Sequence, residues 1–170
     1  MKLNKKTIYL WLVAVLCMAP ATMCAQANVV EKVLTRQRTK TLKDGSVYKG
    51  DMMLMRPHGR GKCTYTDGSV YQGLFEHGRR HGQGIMTYTN GERYEGAWYK
   101  DVRHGRGAYH YKDGRRFEGD FEEDVIMGFG TMTYVNGDTY TGLWEKGMRH
   151  GTGVYIWCLD GSNYNGEWYQ

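Results

Sequence analysis

YQGLFEHGRRHGQGIMTYTNGER, residues 71–93, returns 23 residues later as YEGAWYKDVRHGRGAYHYKDGRR, residues 94–116. Working outward in both directions, the same unit opens at Tyr48, Tyr71, Tyr94, Phe117 and Tyr140, and once more at Tyr164 after a gap of 24 residues. Each copy carries an aromatic opener, a glycine two residues on, usually an aromatic two further, a G-x-G pair, another aromatic, and Asp-Gly or Asn-Gly. In residues 71–93 these are Tyr71, Gly73, Phe75, Gly82, Gly84, Tyr88, Asn90 and Gly91. A fixed period of this length marks an array in which one unit cannot bury its own face and stacking supplies the core.

The unit is too short for two helices, and Tyr71-x-Gly73-x-Phe75 alternates with the period of a strand. Two strands per repeat are predicted, Val70–Phe75 and Gly82–Thr89, with a loop over Glu76–His81. Asp67-Gly68, Asn90-Gly91, Asp113-Gly114, Asn136-Gly137 and Asp160-Gly161 are the turns to the next repeat, because glycine accepts the positive φ that a tight hairpin needs. Turn length sets the faces, since a one-residue slip moves every side chain to the other side. A three-residue turn with glycine in a G1 bulge puts Tyr71, Gly73 and Phe75 on one face with Gly61, Cys63 and Tyr65. It leaves Lys62, Thr64, Thr66, Gln72 and Leu74 on the other. Glycines then face aromatic rings and let them lie flat, and the aromatic rows are the core. Departures are Met52 for the inner aromatic, Asp124 for the loop glycine, and the extra residue in IWCLDG, residues 156–161, which is expected to form a bulge.

Residues 1–27 combine a basic start, an apolar run over Ile8–Ala19 and Ala25-Gln26-Ala27, which reads as a secretory signal peptide. The run is too short for a comfortable span of roughly 20 residues, so an uncleaved anchor is the weaker alternative. Residues 28–41 lack the repeat's glycines and read as a cap or linker, with Val29, Val30, Val33 and Leu34 on one side of a short helix. Residues 42–170 are the repeat domain. Removing residues 1–27 takes away Lys2, Lys5 and Lys6, leaving 20 basic against 18 acidic residues, a formal +2. That balance gives no reason to expect nucleic acid. Cys63 and Cys158, four repeats apart, read as separate thiols because a bridge needs closely spaced Cα atoms.

The pattern in YQGLFEHGRRHGQGIMTYTNG and YTGLWEKGMRHGTGVYIWCLDG closely resembles the MORN (membrane occupation and recognition nexus) repeat, over roughly Leu42 to Gln170. The resemblance implies an all-β fold, an elongated, twisted single antiparallel sheet of successive hairpins in an open, solenoid-like meander. It also implies protein–protein contact, oligomerisation, or association with membranes and phospholipids.

His58, His81, His104 and His150 share one offset, with Met127 in the fourth repeat. Equivalent residues two strands apart stand about 9–10 Å from one another, whereas ligands lie about 2 Å from a metal, so the row does not share an ion. Arg79, Arg80, Arg103 and Arg149, in loops along one edge, are candidates for lipid phosphates or an acidic partner. Acidic residues interrupt them, among them Glu76, Asp101, Glu122, Glu123, Asp124 and Glu145, so a mixed solvated edge is the competing reading. Trp98, Trp144 and Trp168 suit sugar stacking but occupy the core row. Trp168 and Tyr169, at the last strand, are candidates for an oligomer contact. There is no serine elbow and no Cys-x-x-Cys. GRGKCT, residues 59–64, lacks the first glycine of a phosphate loop, where Arg56 stands. The sequence reading is a non-enzymatic binding or scaffold protein with no catalytic residue, metal or cofactor, secreted or in the cell envelope, and of bacterial type. Its partner is a protein or a second copy, with anionic phospholipid as the alternative and glycan as a weaker one.

Overall fold

The computed structural model describes residues 36–169, so the signal-peptide reading of residues 1–27 and most of the cap lie outside it. The described residues form one antiparallel sheet of twelve strands in sequence order: β1 (Arg36–Thr41), β2 (Val47–Met53), β3 (Arg56–Thr64), β4 (Val70–Glu76), β5 (Arg79–Thr87), β6 (Arg93–Tyr99), β7 (Val102–His110), β8 (Arg116–Glu122), β9 (Val125–Thr133), β10 (Thr139–Glu145), β11 (Met148–Ile156) and β12 (Asn163–Trp168). Each repeat is one hairpin, and the sheet begins earlier than the sequence reading placed it. Residues 36–41, assigned there to the cap, are strand β1.

Between repeats the three-residue turn is present. Tyr65 N donates to Ser69 O at 2.8 Å, Gly68 N to Tyr65 O at 3.0 Å, and Gly68 holds φ 88°. Asp67 Oδ1 fixes the turn by accepting from Ser69 N at 2.8 Å, and Asn90 does the same for Glu92 N at 3.0 Å, the short side chain reaching its own backbone two residues on. The register follows, with Cys63 opposite Tyr71, Gly61 opposite Gly73 and Gly59 opposite Phe75. The extra residue of the fifth repeat is absorbed in this turn and makes no strand bulge there. Trp157 N donates to Ser162 O at 2.9 Å and Gly161 N to Trp157 O at 3.0 Å, while β11 and β12 pair without a register shift.

Within a repeat the expected loop over Glu76–His81 is a two-residue turn at His77-Gly78, and β5 begins at Arg79. All five such turns, Leu54-Met55, His77-Gly78, Lys100-Asp101, Glu123-Asp124 and Lys146-Gly147, have both residues at positive φ, from 48° to 91°. This is the twist-matched hairpin turn that normally asks for Asn or Gly, and three of the pairs contain no such residue. Stitching to the preceding repeat holds four of the five, all but Leu54-Met55. Gly78 N donates to Pro57 O at 2.8 Å, and Asp101 N, Asp124 N and Gly147 N donate to Arg80 O, Arg103 O and Ile126 O at 3.0 Å. The pairing then skips on the second strand, from Phe75 opposite Arg80 to Gly73 opposite Gly84. The first glycine of G-x-G, Gly82 at φ 61°, occupies the skip.

The second glycine of the pair serves the core. A Cβ on Gly84 would stand 2.2 Å from Tyr71 Oη, and one on Gly107 2.5 Å from Tyr94 Oη, because each opening ring lies flat on the glycines it faces. The inner aromatic then meets two openers edge-on. Phe75 sits against Tyr48 and Tyr71, Trp98 against Tyr71 and Tyr94, Phe121 against Tyr94 and Phe117, Trp144 against Phe117 and Tyr140, and Trp168 against Tyr140 and Tyr164. Centroid distances run from 5.0 to 5.4 Å at 81–88°, the edge-to-face geometry that ring quadrupoles favour. The hydroxyls find carbonyls, Tyr71 to Leu74 O at 3.0 Å and Tyr94 to Ala97 O at 2.8 Å. Trp98 and Trp144 indole N–H groups donate to Gly84 O and Gly130 O at 3.3 and 3.1 Å. One face of a single sheet thus carries an unbroken zipper.

A pH dependence follows from these phenols. Burial pushes Tyr48, Tyr65 and Tyr94 up to about 12, while unfolded tyrosine ionises at about 10. A raised folded pKa contributes stability that is complete below the unfolded value and is lost as pH climbs toward the folded one. Urea midpoints are therefore expected to fall steeply from about pH 9 to about pH 12, with tyrosinate absorbance appearing together with unfolding. Ionisation that runs to completion with the sheet intact would contradict the burial of these rings.

Candidate functional site

Arg79 and Arg80 are not loop residues but the first two of β5, so they point to opposite faces. Arg79 is exposed; Arg80 turns onto the aromatic face, its guanidinium 4.3 Å over the Trp98 ring. Asp101, from the turn of the next repeat, accepts from Arg80 N at 2.8 Å and Arg80 Nε at 3.3 Å through Oδ1, and from Nη2 at 2.6 Å through its main-chain O. Arg103 repeats the arrangement with Asp124, at 2.9 and 2.8 Å to Oδ1 and 2.7 Å to the carbonyl. Both arginines are fasteners between neighbouring repeats, and much of their charge is answered inside the sheet.

Positions 21 residues apart carry the fastener, and the sequence reading did not connect them. They are Pro57 with Gly78, Arg80 with Asp101, Arg103 with Asp124 and Ile126 with Gly147. Where arginine is absent, so is aspartate; this pairing was the signal available in the sequence. Asp124, read there as a mere departure from glycine, is half of an ion pair.

The histidines stand on the other face and pack toward the next turn. His58 Nδ1 faces His77 N at 3.5 Å, and Met127, in the same position of the fourth repeat, offers Sδ to Lys146 N at 3.2 Å. His81 rests 5.4 Å from the Tyr99 ring. Its buried Nδ1 has no hydrogen-bond partner, yet stands 3.3 Å from Glu76 Oε2, near enough for an ion pair though out of alignment for a hydrogen bond. His150 Nε2 lies 3.4 Å from Glu145. Among the described residues no three or more His, Cys, Asp or Glu side chains cluster as a metal site would require. Cys63 is buried, Cys158 exposed, and both are free thiols.

The fifth repeat restores the arginine, with Arg149 4.2 Å over the Trp168 ring. Trp168 is half-buried, its indole N–H donating to Gly153 O at 3.2 Å, while Tyr169 is exposed and donates to Glu167. Between these residues and the fourth repeat a cleft of about 400 Å³ opens on the aromatic face, lined by Arg115, Ile126, Trp144, Arg149, Trp168 and Tyr169 among others. It lies where Ile126 and Gly147 replace the fastener. The sequence candidates Arg149, Trp168 and Tyr169 come together here; Arg79, Arg80 and Arg103 belong to earlier repeats.

A single sheet of repeated hairpins paired in sequence order belongs to the repeat-array class of folds. The MORN repeat family matches over residues 48–70, 71–93, 94–115, 117–139 and 140–158, and the chain belongs to that family. No curated protein matches it. Among solved structures it is similar in part to the SAS-4 (dCPAP) TCP domain of Drosophila melanogaster in complex with a proline-rich motif of Ana2 (dSTIL), at 12% identity and TM-score 0.36, over 76% of this chain and 89% of that one. It is similar also to a point mutant of the TCP10 domain of Danio rerio CPAP, at 13% identity and TM-score 0.30, over 76% and 72%.

Proposed function

We propose that this chain is a non-catalytic scaffold that binds a protein partner or a second copy through its C-terminal repeats, in the secreted space or cell envelope after loss of residues 1–27. The observation that carries this reading is where apolar surface is left uncovered. Among the described residues, exposed large apolar side chains number five before residue 116, namely Val47, Leu54, Met55, Leu74 and Tyr99, against ten after it, from Val125 to Tyr169. At the inter-repeat turns the same change is visible. Lys43, Thr66, Thr89 and Lys112 give way to Val135 and Leu159, which are 68% and 98% exposed. Phe129 and Leu143 stand opposite each other on β9 and β10, and adjoining exposed apolar side chains mark an interaction site.

A photo-crosslinking residue at Met148, an exposed position at the rim of the cleft, is expected to trap a discrete protein adduct or a dimer in cells, and the same probe at Gln72, an exposed position of the second repeat, is not. Equal labelling at both positions would contradict the reading. So would salt-sensitive binding to anionic vesicles with no protein adduct, which would make the phospholipid alternative primary.

A further inference from the structure

We infer that the outer tyrosines of the aromatic face bind a proline-rich segment of a partner protein, at a site separate from the C-terminal contact proposed above. Tyr65, Tyr88, Tyr111 and Tyr134 recur every 23 residues, each standing just before an inter-repeat turn. All four pack half-buried against the core. Their hydroxyls set them apart. The openers Tyr48, Tyr71, Tyr94 and Tyr140 donate to carbonyls of their own repeat, and Tyr109 and Tyr155 donate to Glu92 and Asp138. The four outer hydroxyls meet no such acceptor among the described residues. The fold thus leaves one free donor per repeat, in a line that crosses the strands.

The line has a definite pitch, since equivalent residues two strands apart stand about 9.4–9.8 Å from one another. A polyproline helix turns once in three residues, about 9.3 Å, so over the three intervals from Tyr65 to Tyr134 the two drift apart by at most about 1.5 Å. An extended strand repeats every two residues, about 6.8 Å, and does not fit. A helical peptide presents one face every seven residues, about 10.5 Å, and drifts by about 2–3 Å over the same distance. The polyproline form also has no internal hydrogen bonds, so its carbonyls offer one acceptor per turn to the free hydroxyls while its apolar rings lie on the aromatic ones. Charge narrows the choice further. Arg80, Arg103 and Arg115, whose charges act on these rings, are answered by Asp101, Asp124 and Asp113 at 3.3, 2.8 and 2.7 Å. Glu92, joined to Tyr88 across the turn, has its carboxylate held by the Tyr109 hydroxyl at 2.7 Å and by no cation among the described residues. A basic residue flanking the prolines complements it; a phosphate does not.

The test titrates the purified chain with a synthetic peptide of about nine prolines, three turns, carrying one terminal arginine, and follows the tyrosine ring signals by NMR. Saturable shifts are expected at Tyr88 and Tyr111 and none at Tyr99, an exposed tyrosine outside the line. Combining Tyr88→Phe with Tyr111→Phe keeps both rings and removes two donors, and should weaken binding at least about tenfold. Tyr99→Phe should leave it unchanged. Replacing the peptide's arginine by aspartate should weaken binding at least about threefold, a preference that Glu92→Gln removes. Unfolding curves establish that these variants remain folded. No saturable shift, equal binding by the double phenylalanine variant, equal binding of a Gly-Ser peptide of the same length and charge, or an arginine preference that survives Glu92→Gln would overturn the inference. So would shifts at Tyr88 and Tyr111 produced by a cello-oligosaccharide and not by the peptide, which would make the line a glycan site. Crosslinking at Met148 reads the C-terminal contact separately, so failure of either reading is seen without the other.

Discussion

Tyr94→Ala is expected to lower the free energy of unfolding by about 3–5 kcal/mol, the range for removing a fully buried aromatic ring. Tyr94 has no exposed surface, meets Trp98 and Phe121 edge-on at 5.1 Å each, and gives its hydroxyl to Ala97 O at 2.8 Å. Its place matters as much as its burial, since it opens the middle one of five repeats that touch only their neighbours. In such an array stability is a sum of units and interfaces, so cutting the zipper at its centre should split one urea transition into two. Tyr94→Phe is the control. It removes only the hydroxyl bond, about 1 kcal/mol, and Phe117 shows that the position works without one, being fully buried in the fourth repeat. A single, merely shifted transition for Tyr94→Ala would mean that the halves are coupled by the hydrogen-bond ladder and not by the rings.

Gly84→Ala is expected to cost about 3 kcal/mol or more, at the upper end for overpacking, although it adds one methyl group. The added carbon would stand 2.2 Å from Tyr71 Oη and 2.5 Å from Cζ. Tyr71 cannot yield, because Phe75 and Trp98 press its ring at 5.0 and 5.4 Å. Gly78→Ala separates the steric cause from the conformational one. There φ is 91° but the nearest atom to a Cβ is 3.9 Å away, so only the left-handed backbone penalty of about 1–2 kcal/mol applies. Combining Gly84→Ala with Tyr71→Ala should cost less than the two separate losses together, as neighbours in contact do not add. Additive losses would show that Gly84 is required by something other than the ring above it.

The register was legible because one residue more or less in the turn decides which face is apolar, and Asp67-Gly68 with its equivalents names the turn that gathers the aromatics. The opposite hairpin end was not. Lys100-Asp101 and Glu123-Asp124 look like loop residues, and what holds them at positive φ is a backbone bond to Arg80 or Arg103 of the repeat before, which no local pattern displays. That is also why Arg80 and Arg103 looked like free loop charges. Their partners lie 21 residues on, almost a full period away, and appear only when repeats are compared column by column. The cleft was legible by the same comparison, as the place where Ile126 and Gly147 break the column. Strand β1 was missed because Arg36–Thr41 carries no glycine for an opener ring to rest on; Arg38 stands where Gly61 stands in the next repeat.

The most direct test of the central claim, that one aromatic zipper joins these repeats into a single cooperative sheet, is residue-resolved amide hydrogen exchange on the intact chain. The prediction is one shared opening free energy for the amides flanking the paired glycines Gly73 and Gly84, Gly96 and Gly107, and Gly119 and Gly130, with lower protection confined to the outermost strands. Separate opening free energies for each hairpin, independent of their neighbours, would contradict it.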